Sequence, residues 1–357
     1  MRFVLRSRES RWLAPAAVGV AVLATLVLTA LPIRLAGAAP LSALERYLVT
    51  PLTTPNGIAE VLLAATPLLF TGLAVAVAFR VGYYNIGAEG QFLAGAMATT
   101  AVALSLPDLP AAAALPVGLM AGVLGGVAWA FLPALLRRRA GIDEVVTTLL
   151  LNPVAVLLLQ GLLNGPWRNP ETGFPDSERF GSGYELPSLF GTRVHAGLLV
   201  GVVLVAVTAV VLLATPLGVR LRAAGQSPSA AEFSGVQVGL LQWRSALVSG
   251  GLAGLGGASQ VMGVQHQLTG SLAAGYGYTG VVVATLGALS AFGVLAVALL
   301  LGDVQVGAQN ASIQLQLPSQ MGGVLTSVLL LTVVAALSVR HYRLVRRTPR
   351  SLPAGGD

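Results

Sequence analysis

The chain has 357 residues, of which 55% are hydrophobic and only 10% are charged, and its mean hydropathy is +0.79. Soluble domains carry about 25% charged residues, so this composition excludes a soluble core and indicates a multi-pass membrane protein. The absence of cysteine excludes disulfides and thiolate metal sites. All 21 basic residues besides histidine are arginine, and the lack of lysine excludes P-loop ATPase, Schiff-base and lysine-base chemistry.

Apolar runs along the chain predict an all-α membrane protein with about ten transmembrane helices, or eight or nine if the weaker runs do not span. The predicted spans lie near 12–32, 57–79, 86–105, 112–136, 144–163, 196–214, 245–266, 279–289, 292–313 and 321–339. The eighth span is short enough to be a half-helix. The first could instead be a signal peptide, since "AGA" at 36–38 resembles a cleavage site, although its apolar run is longer than such signals have.

Arginine placement orients these spans. With both termini in the cytoplasm, only Arg34, Arg46, Arg168, Arg179 and Arg193 of the 21 arginines lie outside, which is a strong positive-inside bias. The pI near 10.5 therefore reflects arginines placed by membrane topology, and we expect membrane lipid but no nucleic acid as a partner. The resulting organisation is a single transmembrane domain over 1–350, with an extracytoplasmic loop at 164–194, a cytoplasmic loop at 215–244 and a flexible tail at 351–357. The extracytoplasmic loop is either a solvated surface or a docking surface.

Two polar, glycine-rich breaks interrupt the apolar sequence on opposite sides of this topology: "VGYYNIGAEGQ" (81–91) and "TGSLAAGYGYTG" (269–280). Dividing the spans into five plus five makes the halves cross in opposite senses, which predicts an inverted repeat whose broken helices line a solute pathway. Asn85, Gly87, Glu89 and Gln91 would then border this pathway, because a carboxylate at membrane depth is costly and usually functional. The alternative is that Glu89 caps a half-helix.

Other polar residues within predicted spans are weaker candidates for the pathway. Gln305 and Gln309 share a helical face, and Gln260 lies near the end of the seventh span. Asp303 precedes them on the ninth span, and all of these side chains could instead form helix–helix hydrogen bonds. Asn152, before Pro153, indicates a kink with a local partner.

The cytoplasmic loop contains "SPSAAEFSGV", which predicts a short helix with Ser227 as its cap and Pro228 in its first turn. Phe233, Val236 and Leu240 follow at helical spacing and would share one face. Such a helix suits either a groove on a partner protein or the membrane surface.

Four segments resemble a known family. "LRAAGQSPSAAEFSGV" resembles the coupling loop of ABC-importer permeases of the branched-chain amino acid and simple-sugar superfamily. "NIGAEGQ", "AGIDEVVTTLLLNPVA" (140–155) and "GYGYTGVVVATLGA" (275–288) resemble its nucleoside and simple-sugar branch. The resemblance covers about residues 55–340.

This resemblance implies a non-catalytic, cofactor-free inner-membrane subunit that moves a nucleoside or simple sugar. Its implied partners are ABC ATPase subunits, a second permease chain (identical or different) and an extracytoplasmic solute-binding protein. The coupling element would comprise Arg222, Ala224, Gly225, Ala230, Ala231, Glu232 and Gly235, joined by Phe233 and Val236 of the predicted face. Two rivals remain: an ion-coupled secondary transporter using Glu89 and Asp303, and an intramembrane enzyme, for which the chain lacks a catalytic constellation.

Overall fold

The computed structural model describes residues 2–5, 13–189 and 191–315, and further residues at 318, 321–325, 327–328, 331–332, 335 and 342–345. Apart from one pair of short strands, the regular structure in these residues is helical. The elements are β1 (Arg2–Leu5), α1 (Leu13–Leu35), α2 (Pro40–Leu48), α3 (Pro55–Arg80), α4 (Ala88–Ser105), α5 (Ala111–Ala140), α6 (Glu144–Asn164), α7 (Gly197–Ala214), α8 (Pro216–Gln226), α9 (Pro228–Phe233), α10 (Val238–Gln260), α11 (Tyr276–Leu286), α12 (Ala291–Leu315) and β2 (Tyr342–Val345). Short 3₁₀ turns lie at Thr50–Thr53, Ser182–Tyr184 and Gly270–Leu272, and a π-helix at Val261–Gln265 extends α10.

The chain divides into two compact units, and each is described separately. The first comprises the described residues of 1–49 and 307–357. In it, β1 pairs antiparallel with β2, so that Phe3 lies opposite Leu344. The second unit spans Thr50–Val306 and contains both polar breaks and the predicted coupling element.

Six described helices are long and apolar enough to cross a membrane: α3, α5, α6, α7, α10 with its π-helical extension, and α12. The last thirteen residues of α1 and the whole of α2 form a further candidate that bends by 118°. The structure thus supports six or seven of the predicted spans. The eighth predicted span corresponds to α11, which has only 11 residues, consistent with the predicted half-helix. Part of the tenth predicted span lies outside the described residues.

The second unit is built around α3 and α10. Most of the apolar stretch in each of these two helices is buried by protein, whereas α5, α6 and α7 leave most of theirs exposed, as lipid-facing helices do. α4, α5 and α10 approach so closely that a side chain on Gly95, Gly126 or Gly254 would overlap neighbouring backbone. Such small-residue contacts replace the missing hydrophobic driving force between helices in a bilayer.

Most described residues of the long loop after α6 are exposed, but part of the loop packs into the protein. Tyr184, Phe180 and Ser177 are buried. The Phe180 and Ser177 N–H groups donate to the carbonyls of His266 (2.8 Å) and Leu268 (2.9 Å), just after the π-helix. We call residues 165–196 the outer loop, after the predicted topology.

Candidate functional site at the helix breaks

The chain turns back into the protein at residues 81–87, between α3 and α4. Gly82 takes a left-handed conformation (φ 76°). The Asn85 amide, which is fully buried, then organises the turn: its Nδ2 donates to Gln91 Oε1 (2.8 Å) and to Ser249 Oγ (2.9 Å) on α10. Its Oδ1 accepts from the Gly87 N–H (2.9 Å) and from Gln91 Nε2 (3.1 Å). Both ends of the amide are therefore satisfied inside the protein.

A polar stripe on α6 satisfies the remaining backbone of this turn. Glu144, Thr148 and Asn152 follow one another at intervals of four residues, so they lie on one helical face. Glu144 Oε1 accepts from the Tyr84 N–H (3.2 Å) and Thr148 Oγ1 from the Ile86 N–H (3.2 Å). Asn152 accepts from the Gly90 N–H (3.0 Å) and donates to the Ile86 carbonyl (3.0 Å). The local partner predicted for Asn152 is therefore wrong, since both of its partners lie more than sixty residues away in sequence.

Charge at the edge of this turn is also paired. Glu144 Oε2 lies 3.1 Å from Arg137 Nε at the end of α5. Burial raises the pKa of the Tyr83 hydroxyl, and the nearby Glu144 carboxylate raises it further. Asp143 starts α6 by accepting from the Val145 N–H (2.7 Å).

Glu89 joins the two breaks. It lies in the first turn of α4 and is only 2% exposed. Its Oε1 accepts from the Gly275 N–H (3.0 Å) and its Oε2 from the Gly277 N–H (2.6 Å), at the start of α11. The N-termini of α4 and α11 meet here, and each carries about half a positive charge from its helix dipole. One carboxylate thus neutralises two helix ends, which is the capping geometry.

The contact between the two helix ends leaves no room for a side chain. A Cβ on Gly277 would overlap the backbone of Ala88 and Glu89. Thr71 Oγ1 on α3 donates to the Tyr276 carbonyl (3.0 Å), which fixes the entry of α11 from the other side. "NIGAEGQ", the α6 segment and "GYGYTG" therefore pack into one site, which we call the junction.

The other predicted pathway residues differ in exposure. Gln260, 8% exposed, ends α10, whereas Gln305 and Gln309 are exposed on α12. Asp303 is 5% exposed, and its Oδ1 has no hydrogen-bond partner among the described residues. Whether these groups line a solute pathway stays a prediction.

The predicted coupling element folds as two short helices. Ala224 on α8 and Ala231 on α9 are buried, while Glu232 and Phe233 are exposed; Phe233 is 96% exposed. α9 ends at Phe233, and two residues later Gly235 takes a left-handed φ of 84°, which a glycine adopts without strain. Because the helix ends there, Val236 turns back against the buried cluster around Ala231. The prediction of one face shared by Phe233, Val236 and Leu240 is therefore wrong.

The N-terminus of α9 lacks the side-chain cap that was predicted for it. Ser227 occupies the cap position and Pro228 the first turn, but the Ser227 side chain makes no capping bond. Its carbonyl instead accepts from the Ala231 N–H (3.0 Å).

Arg80, at the end of α3, contacts α8 of the predicted coupling element and the loop after α11. A Cβ on Gly225 of α8 would overlap the Arg80 carbonyl, so these backbones touch. Arg80 Nη1 donates to the Leu289 carbonyl (2.9 Å), just beyond the C-terminus of α11. A cation there complements the negative end of the α11 dipole. α11 thus has a carboxylate at its start and a guanidinium beyond its end.

Two features of the site escaped the sequence analysis. The spacing of four residues between Glu144, Thr148 and Asn152 indicates a shared helical face, but only Asn152 was interpreted, as part of a kink at Pro153. His195, 1% exposed beside the π-helix, gave no pattern at all because its neighbours come from distant segments.

A bundle of apolar helices with two buried helix breaks and a small exposed helix on a loop defines a multi-pass membrane transport protein. The profile of the family described as "branched-chain amino acid transport system / permease component" matches residues 57–334. The chain belongs to this family, and it is a plasma-membrane permease subunit of an ABC importer.

Similar proteins agree with this assignment. The chain is 34% identical over 343 residues to the glucose ABC transporter permease protein TsgB13 of Haloferax volcanii, covering 93% of this chain and 90% of that protein. It is 31% identical over 293 residues to the guanosine ABC transporter permease protein NupP of Bacillus subtilis, covering 79% and 82%. It is 30% identical over 279 residues to the nucleoside ABC transporter permease protein NupB of Lactococcus lactis, covering 75% and 77%. No solved structure matches.

Proposed function

We propose that this permease imports a simple sugar or a nucleoside. The printed names of its relatives support this class, since they include a glucose permease and guanosine and nucleoside permeases. The complex would contain ATPase subunits that hydrolyse ATP, a second permease chain and an extracytoplasmic solute-binding protein. Co-purification in mild detergent, followed by ATP-driven uptake of labelled D-glucose and guanosine into proteoliposomes, tests the assignment. Recovery of this chain without an ATPase would contradict it.

We infer that α9 is the contact through which the ATPase acts, and its exposure is the observation that carries the proposal. Phe233 is 96% exposed, yet α9 is anchored beneath by buried Ala231. An exposed aromatic on an anchored helix suits insertion into a groove on a partner. Arg222, Ala230, Glu232 and Gly235 would belong to the same surface or to its supporting turns.

Phe233→Asp tests this contact, because it places a charge where a partner would bury an apolar ring. We expect ATP-driven uptake to fall at least tenfold while the chain remains inserted, since the side chain has almost no contacts of its own. Phe174→Asp is the matched control, because it makes the same replacement at another exposed phenylalanine (67% exposed), which lies on the outer loop and not on α9. Normal uptake by Phe233→Asp would remove α9 from the ATPase contact.

We propose the following membrane arrangement for the permease. Both termini lie in the cytoplasm, and about ten spans form two inverted groups of five. The pairing of β1 with β2 supports the first point, since it places residues 2–5 beside residues 342–345. The solute would cross between two permease chains, so the exposed Gln305 and Gln309 are better placed to meet it than the closed junction. Asn85, Gly87, Glu89, Gln91 and Gln260 would support the pathway from behind in this conformation.

One observation keeps an ion-coupled mechanism as a second candidate: the buried Asp303 carboxylate has an oxygen without a partner among the described residues. An ion site there would make uptake depend on an ion gradient and be lost in Asp303→Asn. Uptake by Asp303→Asn that follows ATP alone, at the normal rate, would discard this candidate. Glu89 is less suited, because both of its oxygens already accept backbone bonds.

A further inference from the structure

A cavity lies between the outer loop and the end of α10. Its volume is about 500 Å³, within the range of roughly 300–1,000 Å³ that small-molecule sites occupy. Three stretches of chain form its wall: α3 with Leu63, the outer loop with Ser182, Glu185 and His195, and the segment 263–266, which ends with His266. We call this space the outer cavity.

The backbone beside the outer cavity is irregular. α10 ends in a π-helix, an arrangement that occurs mostly as single turns and frequently at functional sites. His266 follows it with a left-handed φ of 54°, which is uncommon for a residue other than glycine. The outer loop holds this conformation, because the Leu186 N–H donates to the Met262 carbonyl (3.0 Å) and the Phe180 N–H to the His266 carbonyl. Strained backbone that is held in this way is a reason to look for a site.

His195 presents a hydrogen-bond donor without a partner. The Gly197 N–H donates to His195 Nδ1 (3.2 Å), so in the neutral ring the proton is on Nε2. Burial, together with the smaller effect of the neighbouring His266, lowers the pKa of His195 to about 4, so the ring is neutral near pH 7. Nε2 is buried and finds no acceptor among the described residues, and the buried Nδ1 of His266 likewise has no partner there. Buried polar atoms of this kind call for an explanation.

The imidazole fits here only because two glycines flank it. A Cβ on Gly197 or on Gly263 would overlap the His195 ring. The position of this histidine therefore depends on glycine at both 197 and 263. Such a requirement is unusual for a side chain that contributes only to packing.

The chemistry of the wall indicates an uncharged ligand. Arg193, at the rim, is already paired with Glu60 on α3 (3.0 Å). Thr192 Oγ1 already donates to the Leu189 carbonyl (2.8 Å) and accepts from the Val194 N–H (3.2 Å). What remains is two imidazoles, the hydroxyls of Ser182 and Ser188, and the exposed Glu185 as an acceptor. Groups that can donate and accept in turn match hydroxyl groups, each of which does both.

We propose that the outer cavity binds a small, uncharged, polyhydroxylated solute, a sugar or the ribose of a nucleoside, with His195 and His266 as hydrogen-bonding residues. The proposal rests on the proposed function and adds to it a location within a single permease chain. The solute would occupy this site on the side where the predicted topology places its arrival.

Two variants of His195 separate binding from folding. Asn places an oxygen close to the position of Nδ1 and keeps an acceptor for the Gly197 N–H, but it deletes the Nε2 donor. Gln places an amide nitrogen close to Nε2 and keeps the donor. His266→Asn removes the second imidazole, and asparagine tolerates the left-handed conformation. Glu171→Gln, on an exposed turn of the outer loop away from the cavity wall, is the control.

The assay is equilibrium binding of labelled D-glucose and guanosine to the assembled transporter in nanodiscs, without ATP or binding protein. We expect saturable binding of at least one solute by the wild type. His195→Asn and His266→Asn should weaken it about tenfold, and His195→Gln less than threefold, as the loss of one buried hydrogen bond predicts. Thermal stability is measured in parallel, so that weaker binding at unchanged stability supports the site.

Three results would overturn the proposal: no saturable binding of either solute by the wild type, unchanged binding in both asparagine variants, or losses that only track unfolding. If His195→Asn fails to fold, Ser182→Trp decides, because it fills the cavity from an exposed position. ATP-driven uptake by the wild type is measured separately. Uptake without binding in the outer cavity would remove this site and leave the importer assignment standing, whereas absent uptake of both solutes would contradict the assignment itself.

Discussion

Replacing Glu89 by glutamine tests whether the family's glycine-rich motif is a structural junction. The carboxylate accepts from the Gly275 and Gly277 N–H groups and is 2% exposed. The glutamine amide has only one oxygen, so its NH₂ group must face one of these two donors. One backbone N–H at the start of α11 would then lose its partner, and the two helix ends would lose their shared negative charge.

The expected loss of stability follows from these contacts. Hydrogen bonds to a charged group contribute about 1.5–3 kcal/mol each, whereas the one neutral bond that remains contributes about 0.5–1.5 kcal/mol. Removing the charge also removes the cost of burying it, which offsets part of the difference. We therefore expect Glu89→Gln to destabilise the permease by about 2–4 kcal/mol. Protein level and transport should fall together.

The assay compares the midpoint of thermal unfolding in detergent with uptake per folded molecule. Glu60→Gln is the matched control: it removes the carboxylate of an exposed ion pair with Arg193, and such pairs contribute about 0–1 kcal/mol. A Glu89→Gln protein with unchanged stability and abolished uptake would refute the capping argument. That outcome would return Glu89 to the solute or ion pathway.

Two further predictions concern the junction and the outer cavity. Gly277→Ala should strongly lower the yield of folded protein, because its Cβ would overlap the backbone of Glu89; Gly161→Ala, where a Cβ on α6 meets nothing within 4 Å, should fold normally by the same gel-filtration assay. For His195, the folded-state pKa of about 4 lies below the ordinary value of 6.5. The unfolded chain therefore binds the proton first, and stability should be constant above about pH 6.5 and fall by about 3 kcal/mol as the pH drops to about 4. The thermal midpoint of His195→Asn should lack this part of the pH dependence, and an identical profile in wild type and variant would contradict a buried neutral ring.

Much of the architecture could be predicted from the sequence, because each membrane helix is a long apolar run. Uninterrupted apolar runs predicted α3, α5, α6, α7 and α12 within a few residues at each end. α10 was also predicted, but it begins at Val238, before the predicted start near 245. Glycine and polar residues marked both breaks, since lipid tolerates neither unpaired backbone nor charge. The apolar run that corresponds to α11 is short, and this predicted a half-helix.

The partners within the site could not be predicted, because they depend on which segments meet. Glu89 is separated by 186 residues from Gly275, and no local pattern connects them. The proline after Asn152 favoured a kink with a local partner. The actual partners of Asn152, at residues 86 and 90, could not be predicted from this local pattern. The fold of α9 was predicted, but its end was placed too late, because glycine at 235 was not recognised as a left-handed stop.

The contacts of α11 suggest how motion of the coupling element would reach the rest of the permease. α8 touches the Arg80 carbonyl at Gly225, and the Arg80 guanidinium holds the carbonyl of Leu289 beyond the end of α11. The start of α11 is bound through Glu89 to α4. The Arg80 guanidinium joins α3 to the end of α11 by a charge-assisted hydrogen bond, and Glu89 joins α4 to its start, so we expect α3, α4 and α11 to move as one body. Asn85, Gln91 and Glu89 pair the polar groups of both breaks inside the protein, and this pairing gives a hydrophobic chain a structural reason to bury a carboxylate and two amides.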